Sequence, residues 1–312
     1  MNSFYAKEIF LFDIENDEVS VNGKNFPIKG NIVKISPGFI NNFNNKIQNI
    51  NLSFDNITVR ISHLGQLEYI KKLIKKINIK SLEYGAIALT KDLLKYNIVE
   101  IATEVRNFCN RYNINFLYAT PEILVKRDFL RVYSDVKNIV NILKPNALVV
   151  NNEDFLQNFL IDKDCKGKPI HVGFEFDFEK YKNHIKQISA IDLSSFNTIE
   201  NIKNISDKYP ISFHKKYNIL GNTKIISQYK CYINTSDNMQ SGLSCTAPCK
   251  TNKYSLKNPY TEDVYPFITD GFCNTHFYTQ EVLDLCEYIL ILKSIGISEF
   301  IIDLSAFDID EN

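Results

Sequence analysis

The sequence lacks the charge surplus and the long apolar runs that point directly to a class of protein. Its 36 Lys and Arg residues balance 36 Asp and Glu residues, so no basic excess favours a nucleic-acid partner. No apolar run is long enough to span a membrane, and the segment 288–292 ends at Lys293. The N-terminus has no basic region followed by a long apolar stretch. We therefore expect no signal peptide and a cytoplasmic location.

Familiar catalytic signatures are also missing. The sequence has no G-x-G-x-x-G and no Walker motif, so no nucleotide is implied. It has no G-x-S-x-G and no H-E-x-x-H. Ser194 and Ser195 follow a predicted strand, but nothing in the sequence pairs them with a histidine. These absences argue against a peptidase.

What is present is a repeated strand, loop and helix pattern, in a chain of 312 residues that is 45% hydrophobic. Residues 1–55 differ and are predicted to form a small β-rich extension. Apolar periodicity predicts strands at 57–61, 115–119, 147–150, 169–174, 188–193, 210–214 and 298–304, and helices at 66–76, 128–143, 177–187 and 281–294. Alternating units predict a parallel sheet, and their number favours a closed (β/α) barrel over an open doubly wound sheet. We assign residues 56–312 to a barrel-like domain whose alternation breaks between about 215 and 265.

Four cysteines in or near that break are the main chemical signal. They are Cys231, Cys245, Cys249 and Cys273, and the middle two form a C-x-x-x-C. Clustered thiolates can hold an iron–sulfur cluster or a zinc ion. The uneven spacing favours a cluster caged by a folded domain over a zinc site, which would have two close pairs. Incidental buried thiols are the remaining alternative.

The other three cysteines bring the total to seven, an odd number for a disulfide scaffold. Cys109 and Cys286 lie in apolar helical patterns and are predicted to be core residues. Cys165 lies in a polar loop and is predicted to be a surface thiol.

Two histidines and a pair of carboxylates are further candidates. His214, at the end of the predicted strand 210–214, is a candidate catalytic residue that would orient substrate or transfer a proton at a barrel mouth. A structural histidine is the alternative. His276 could replace one thiolate as a cluster ligand. Glu175 and Asp177 either enter the same mouth or cap a helix.

The same segments resemble peptidase family U-32. The likeness lies in the strand and histidine at 211–215, the aromatic and basic residues around Cys231, the motif Cys245-x-x-x-Cys249, the segment 265–271 and the final helix and strand at 285–304. The resemblance implies a barrel-like α/β fold and a 4Fe–4S cluster held by Cys231, Cys245 and Cys249, with Cys273 as the fourth ligand. It also implies anaerobic, oxygen-independent hydroxylation of a small aromatic or quinone precursor or of RNA, in a heterodimer with a paralogous family member.

Two alternatives to the hydroxylase remain open. One is a non-catalytic partner subunit stabilised by zinc or by a cluster. The other, disfavoured by the missing motifs, is a peptidase as the family label suggests.

Overall fold

The computed structural model describes residues 10–13, 18–21, 24–27, 32–33, 56–85, 98–124, 126–165, 167–174, 176–194, 198–209, 212–228, 254–257, 264–270 and 273–306. Three of the four predicted cluster ligands, Cys231, Cys245 and Cys249, lie outside these residues.

Four short strands precede the barrel. They are β1 (Phe10–Asp13), β2 (Glu18–Val21), β3 (Lys24–Pro27) and β4 (Ile32–Val33). The first three form an antiparallel sheet in which Val21 opposes Lys24. The fourth pairs with a strand near the C-terminus. The region is therefore β-rich as predicted, while its boundary at residue 55 stays a prediction.

Eight parallel strands close into a barrel. Each pairs with the next in chain order, and the eighth lies between the seventh and the first. The barrel strands are β5 (Ile57–Ile61), β6 (Ile79–Tyr84), β7 (Asn115–Ala119), β8 (Ala147–Val150), β9 (Ile170–Val172), β10 (Ile188–Asp192), β11 (His214–Gln228) and β15 (Glu299–Asp303). The prediction of a (β/α) barrel is confirmed, and the open sheet is excluded by the parallel pairing of β10 with β11.

A helix lies between each consecutive pair of barrel strands. These are α1 (Gln66–Ile74), α2 (Ile98–Tyr112), α3 (Lys126–Leu143), α4 (Glu153–Ile161), α5 (Phe178–Tyr181), α6 (Ile199–Lys208) and α7 (Ile289–Ser294), with short 3-10 helices at Lys182–Gln187 and Cys286–Tyr288. Side-chain caps fix the starts of α4, α5 and α6. Asn152 accepts a hydrogen bond from the Phe155 N–H at 3.0 Å, and Thr198 accepts one from Asn201 at 3.1 Å.

The strands divide their side chains between two environments, because successive residues point to opposite faces. In β5, Ile57, Val59 and Ile61 are buried in the main hydrophobic core that the helices share. Thr58 and Arg60 point into the barrel, where both bond to carboxylates of other strands. The barrel interior is consequently polar at several levels, and these polar side chains define the site described below.

The seventh barrel strand, β11, continues beyond the barrel into a second sheet. Its first half pairs in parallel with β10 and β15, and its second half pairs antiparallel with β14 (Thr275–Asp284). Gly221 marks the change, with φ of +130° and a position where a Cβ would lie 2.2 Å from the Asp303 carbonyl oxygen. Only glycine fits there without strain.

The antiparallel sheet forms an insert between β11 and α7. It contains β12 (Tyr254–Lys257), β13 (Val264–Thr269) and β14, and β4 adds to its outer edge. Rings pack between these strands: Phe267 lies 5.2 Å from Phe277 and 6.2 Å from Tyr254 between centroids. Apolar packing therefore holds the insert together.

Two predicted elements are wrong, and both adjoin the insert. The strand predicted at 210–214 begins at His214 instead. The helix predicted at 281–294 begins as the end of β14, because Val282, Leu283 and Asp284 pair with β11. An amphipathic pattern fits either structure, and the ladder with β11 decides between them.

Among the described residues, no helix combines the length and the hydrophobicity needed to cross a bilayer.

Candidate functional site

The carboxyl end of the barrel carries a cluster of charges around Arg60. The Arg60 guanidinium contacts Glu83 at 2.7 Å, Asp192 at 2.9 Å and Asp303 at 3.1 Å. Burial alone would lower the pKa of Arg60, but these three carboxylates raise it well above its usual value. Arg60 is thus a permanent cation that joins its own strand, β5, to three other strands at the barrel mouth, where barrel enzymes keep their sites.

Two of these carboxylates also accept hydrogen bonds from nearby serine residues. Asp192 accepts hydrogen bonds from the backbone and side chain of Ser194, and Asp303 accepts the same pair from Ser305. These contacts leave the carboxylate oxygens with donors on more than one side. These hydrogen bonds therefore fix the positions of Asp192 and Asp303.

A second ion pair lies deeper in the barrel. Lys216 contacts Glu299 at 2.6 Å, and both are almost fully buried. His171 lies near this level, and its pKa is well below the usual value because of burial and the positive charges of Lys216, His214 and Lys80. His171 is consequently neutral.

A second cluster of polar residues lies in the insert, at the connection between β13 and β14. Asp270 and Asn274 close the connection from β13 to β14, with the Asp270 N–H donating to the Asn274 carbonyl at 3.0 Å. The Asp270 carboxylate then accepts from the Asn274 backbone N–H at 2.9 Å and from its side-chain amide at 2.8 Å. Both residues are at most 1% exposed. The Asp270 carboxylate therefore has a fixed position.

His276 links this carboxylate to a serine on the neighbouring strand. Its Nε2 lies 3.2 Å from Asp270 Oδ2, and its Nδ1 lies 2.8 Å from Ser227 Oγ. A carboxylate is an acceptor only, so Nε2 carries the proton in a neutral imidazole. Nδ1 is then the acceptor for the Ser227 hydroxyl, which gives a serine, histidine and aspartate relay.

Glu122, from the loop after β7, lies against this relay. Its Oε2 lies 2.9 Å from Ser227 Oγ and competes with His276 Nδ1 for the single proton of that hydroxyl. The same oxygen contacts the Lys224 ammonium and lies 4.0 Å from His276 Nδ1. Burial would raise the pKa of Glu122, but Lys224 and His276 hold it at about 2. Glu122 therefore remains ionised near neutral pH.

Tyr278 connects the relay with the Arg60 cluster. It lies two residues after His276 on β14 and is fully buried. Burial and the charge of Asp303 raise the pKa of its hydroxyl, with Ser305, Glu122 and Arg60 also close enough to act on it. The relay and the barrel mouth are thus parts of one polar region.

Of the predicted cluster ligands, only Cys273 is described. It is exposed and has a left-handed backbone with φ of +62°, and its N–H donates to the Asp270 carbonyl at 3.1 Å. His276, considered as a replacement ligand, has both ring nitrogens engaged in the relay. No group of three metal-ligating side chains is found in the described part of the chain. The four-cysteine site stays a prediction.

His214 lies at the other end of the barrel from the Arg60 cluster. As the first residue of β11 it pairs with Ala190, and it is exposed. It therefore belongs to the amino end of the barrel. The expectation that His214 lies at the mouth is wrong. Its proposed catalytic role stays untested.

Other candidates have structural positions. Asp177 caps α5 by accepting from the Glu179 and Lys180 N–H groups, while Glu175 lies outside the described residues. Cys109 is a core residue as predicted. The prediction for Cys165 is wrong: it is 1% exposed, because the turn after α4 folds it inward.

The sequence alone does not predict the relay, because Ser227 and His276 lie on separate strands. Ser227 stands in no recognisable motif, and Asp270 and His276 are close in sequence but carry no spacing signature. Only the cross-strand pairing of Ser227 with His276 brings them together.

No protein-family model matches this sequence, and neither does any curated protein. A U32 peptidase structure aligns with a TM-score of 0.45 and 8% identity, over 82% of this chain and 95% of that one. The spore cortex-lytic enzyme SleL of Bacillus cereus aligns with a TM-score of 0.43 and 9% identity, over 91% and 85%. A designed cube-shaped protein cage aligns at 0.36 and 9%, over 52% of this chain and about half (54%) of that one. All three TM-scores are below 0.5.

Proposed function

We propose that this protein is a barrel-type hydrolase of esters or amides, in which Ser227 is the nucleophile. The observation that carries the proposal is the relay from Ser227 through His276 to Asp270, with atom separations of 2.8 and 3.2 Å. Nucleophile, base and orienting carboxylate within hydrogen-bond reach are the arrangement that activates a serine hydroxyl.

The reaction has two steps. Ser227 Oγ attacks the carbonyl carbon while His276 Nδ1 takes its proton, and the bond to the leaving group breaks as that proton passes to the leaving oxygen or nitrogen. Water then attacks the carbonyl carbon of the acyl-serine and gives a proton to His276 Nδ1. The bond from that carbon to Ser227 Oγ breaks as Nδ1 passes the proton to Oγ, which releases the carboxylic acid and restores Ser227. Asp270 holds the ring and stabilises the imidazolium formed in each step.

Glu122 and Lys224 adjust the charge around the nucleophile. The ionised Glu122, 4.0 Å from His276 Nδ1, also favours the imidazolium. Lys224 shares the Glu122 oxygen with Ser227, which brings its ammonium beside the nucleophile. At that position the ammonium would stabilise the negative charge that develops on the carbonyl oxygen of the substrate.

A fluorophosphonate probe tests the proposal directly, because it labels only activated serines. We expect covalent labelling at Ser227, located by peptide mass spectrometry, and hydrolysis of 4-nitrophenyl esters. Ser227→Ala should abolish labelling and lower kcat roughly a millionfold. Asp270→Asn should lower kcat with a smaller effect on KM, because it disturbs the tautomer of His276.

Ser294→Ala is the matched control. Ser294 is an exposed serine at the end of α7 whose hydroxyl bonds only to the Ile291 carbonyl among the described residues. It should retain full labelling and activity. Labelling that persists in Ser227→Ala, or no labelling of the unmodified chain, would exclude this function.

An iron–sulfur protein is the second candidate. The observation that favours it is Cys273, whose exposed thiol lies on the insert at the hairpin that also holds Asp270. With Cys231, Cys245 and Cys249 it would complete a ligand set for a 4Fe–4S cluster. In that case the chain acts in oxygen-independent hydroxylation of a small aromatic or quinone precursor or of RNA, beside a paralogous partner.

Anaerobic purification separates the two candidates. A cluster predicts about four irons per chain with acid-labile sulfide. Cys245→Ser should remove the chromophore, and the core variant Cys109→Ser should keep it. Zinc without sulfide would favour a non-catalytic partner subunit. A chain with neither iron nor zinc would rule out the cluster and the zinc-stabilised subunit, and it would leave the serine hydrolase.

A further inference from the structure

In the described part of the barrel mouth, the cluster around Arg60 has three carboxylates and one cation. Glu83, Asp192 and Asp303 surround the single guanidinium of Arg60, and all three carboxylates are at most 11% exposed. Buried charge of one sign needs compensation. The arrangement therefore favours a positively charged group at the mouth.

The Tyr278 hydroxyl gives independent evidence for a ligand. It is fully buried and makes no hydrogen bond with a described residue. Ser305 lies beside it, but the contact does not meet hydrogen-bond geometry, and the Ser305 hydroxyl already donates to Asp303. A buried polar group left in this state destabilises the fold, so retaining it requires a role.

Asn218 supplies a second buried acceptor at the same end of the barrel. Its side-chain oxygen has no hydrogen-bond partner among the described residues. Its backbone N–H bonds to Ser194, the residue that also holds Asp192. Carboxylates, a tyrosine oxygen and an amide oxygen together form a set that accepts N–H donors.

The cluster opens into a small hollow at the mouth. Arg60, Glu83, Tyr84, Gly85 and Ser305 are among the residues that line it. Gly85 has φ of +129°, and a Cβ there would lie 2.5 Å from the Ala119 carbonyl oxygen. Glycine is required at this wall because a Cβ would collide with the neighbouring strand β7. Glu83 is the carboxylate of the cluster that lines the hollow.

We propose that the mouth binds a primary ammonium group of the substrate. Such a group is compact and has three N–H donors, which suits acceptors on several strands better than a planar guanidinium does. It would donate to the carboxylates of Glu83 and Asp303 and to the oxygen of Tyr278. This inference rests on the proposed hydrolase, since Tyr278 joins the mouth to the relay, and it gives that enzyme a preference for cationic acyl substrates.

Binding can be measured without turnover, by isothermal titration of the full chain with n-pentylamine and with 1-pentanol at low salt. The two probes have similar chains, and only the amine is charged near neutral pH. We expect saturable binding of the amine, weakening with added salt, and none of the alcohol. Tyr278→Phe and Asp303→Asn should each weaken it about tenfold, because each removes one polar contact of about 1.4 kcal/mol.

Glu104→Gln is the matched control, since Glu104 is an exposed carboxylate on α2. It should leave the amine affinity unchanged. Equal binding of both probes, or equal weakening by Glu104→Gln and Asp303→Asn, would overturn the ammonium site. Tyr278→Phe is nearly isosteric and should fold even if Asp303→Asn does not.

The Ser227→Ala variant separates this inference from the proposed function. Ser227 does not contribute to the ammonium site, so the amine should bind Ser227→Ala as it binds the unmodified chain. Amine binding without any esterase activity would support the site while removing the hydrolase. Esterase activity with equal rates for a 4-nitrophenyl ester with and without a terminal amine would keep the hydrolase and refute the ammonium preference.

Discussion

Replacing Arg60 with leucine tests the charge cluster on which the barrel mouth depends. Arg60 contacts three carboxylates on three other strands, at 2.7, 2.9 and 3.1 Å. Leucine fills part of the volume but leaves these carboxylates facing one another with no cation. We expect a large loss of stability, because the repulsion is concentrated in the barrel interior.

The magnitude follows from the burial of the group. Removing one partner of a buried ion pair costs about 3–5 kcal/mol. The Arg60 side chain is 20% exposed, which places the expected loss toward the lower end of that range. A loss of that size lowers the melting temperature by roughly 5–15 °C in a domain of this size.

The loss should depend on pH with a definite sign. In the variant, the folded state binds protons at these carboxylates more readily than the unfolded state does. Stability of the variant therefore falls as pH rises, and its deficit shrinks as pH falls toward about 4. Thermal unfolding at several pH values, followed by circular dichroism, measures this trend.

Arg131→Leu is the control for this experiment. Arg131 is 65% exposed and lies 3.9 Å from Asp128, so its loss should cost under about 0.5 kcal/mol. A deficit below about 1 kcal/mol for Arg60→Leu, or one that does not change with pH, would refute the reasoning.

Three further predictions concern single positions. Gly221→Ala should cost about 2 kcal/mol or more in chemical denaturation, because the new Cβ would lie 2.2 Å from the Asp303 carbonyl oxygen at a φ of +130°. Glu122→Gln should cost about 1 kcal/mol at neutral pH, a value discounted because the side chain is 32% exposed. Its folded pKa of about 2 lies below the ordinary 4.5, so this contribution is present above pH 4.5 and disappears as pH falls through about 2. Mass-spectrometric mapping of alkylated thiols should find Cys273 modified in the native chain and Cys109 only after unfolding, because burial raises the pKa of Cys109 to about 12.

Each of these three predictions has a control or a result that would contradict it. Gly167 also has a positive φ, of +80°, but a Cβ there meets nothing within 4 Å, so Gly167→Ala should cost less than Gly221→Ala. Equal costs would contradict the steric argument. A stability difference for Glu122→Gln that persists below pH 2 would contradict the charge argument. Native alkylation of Cys109 would contradict its burial.

The barrel could be predicted because its strands are short apolar runs with clear limits. The strands at 57–61, 115–119 and 147–150 have the predicted bounds. Each lies between the barrel interior and the helices, and this double contact imposes a hydrophobic pattern that is visible in the residues themselves.

The insert could not be predicted in the same way. Val282 and Leu283 fit the apolar face of a helix, and they also fit a strand. Pairing with Gly221 and Asn222 of β11 makes them part of a strand. Such pairing involves residues far apart in the chain, and local periodicity does not record it.

In the candidate site, too, some features follow from the sequence and others only from the tertiary structure. The residues themselves determine the alternating fold and supply chemically capable groups, including the cysteines whose ligation stays a prediction. Only the tertiary structure brings Ser227 to His276 and Asp270, and Arg60 to its three carboxylates. The physical reason is that hydrogen bonds and ion pairs depend on distances of about 3 Å between atoms, and those distances are set by strand register and barrel closure.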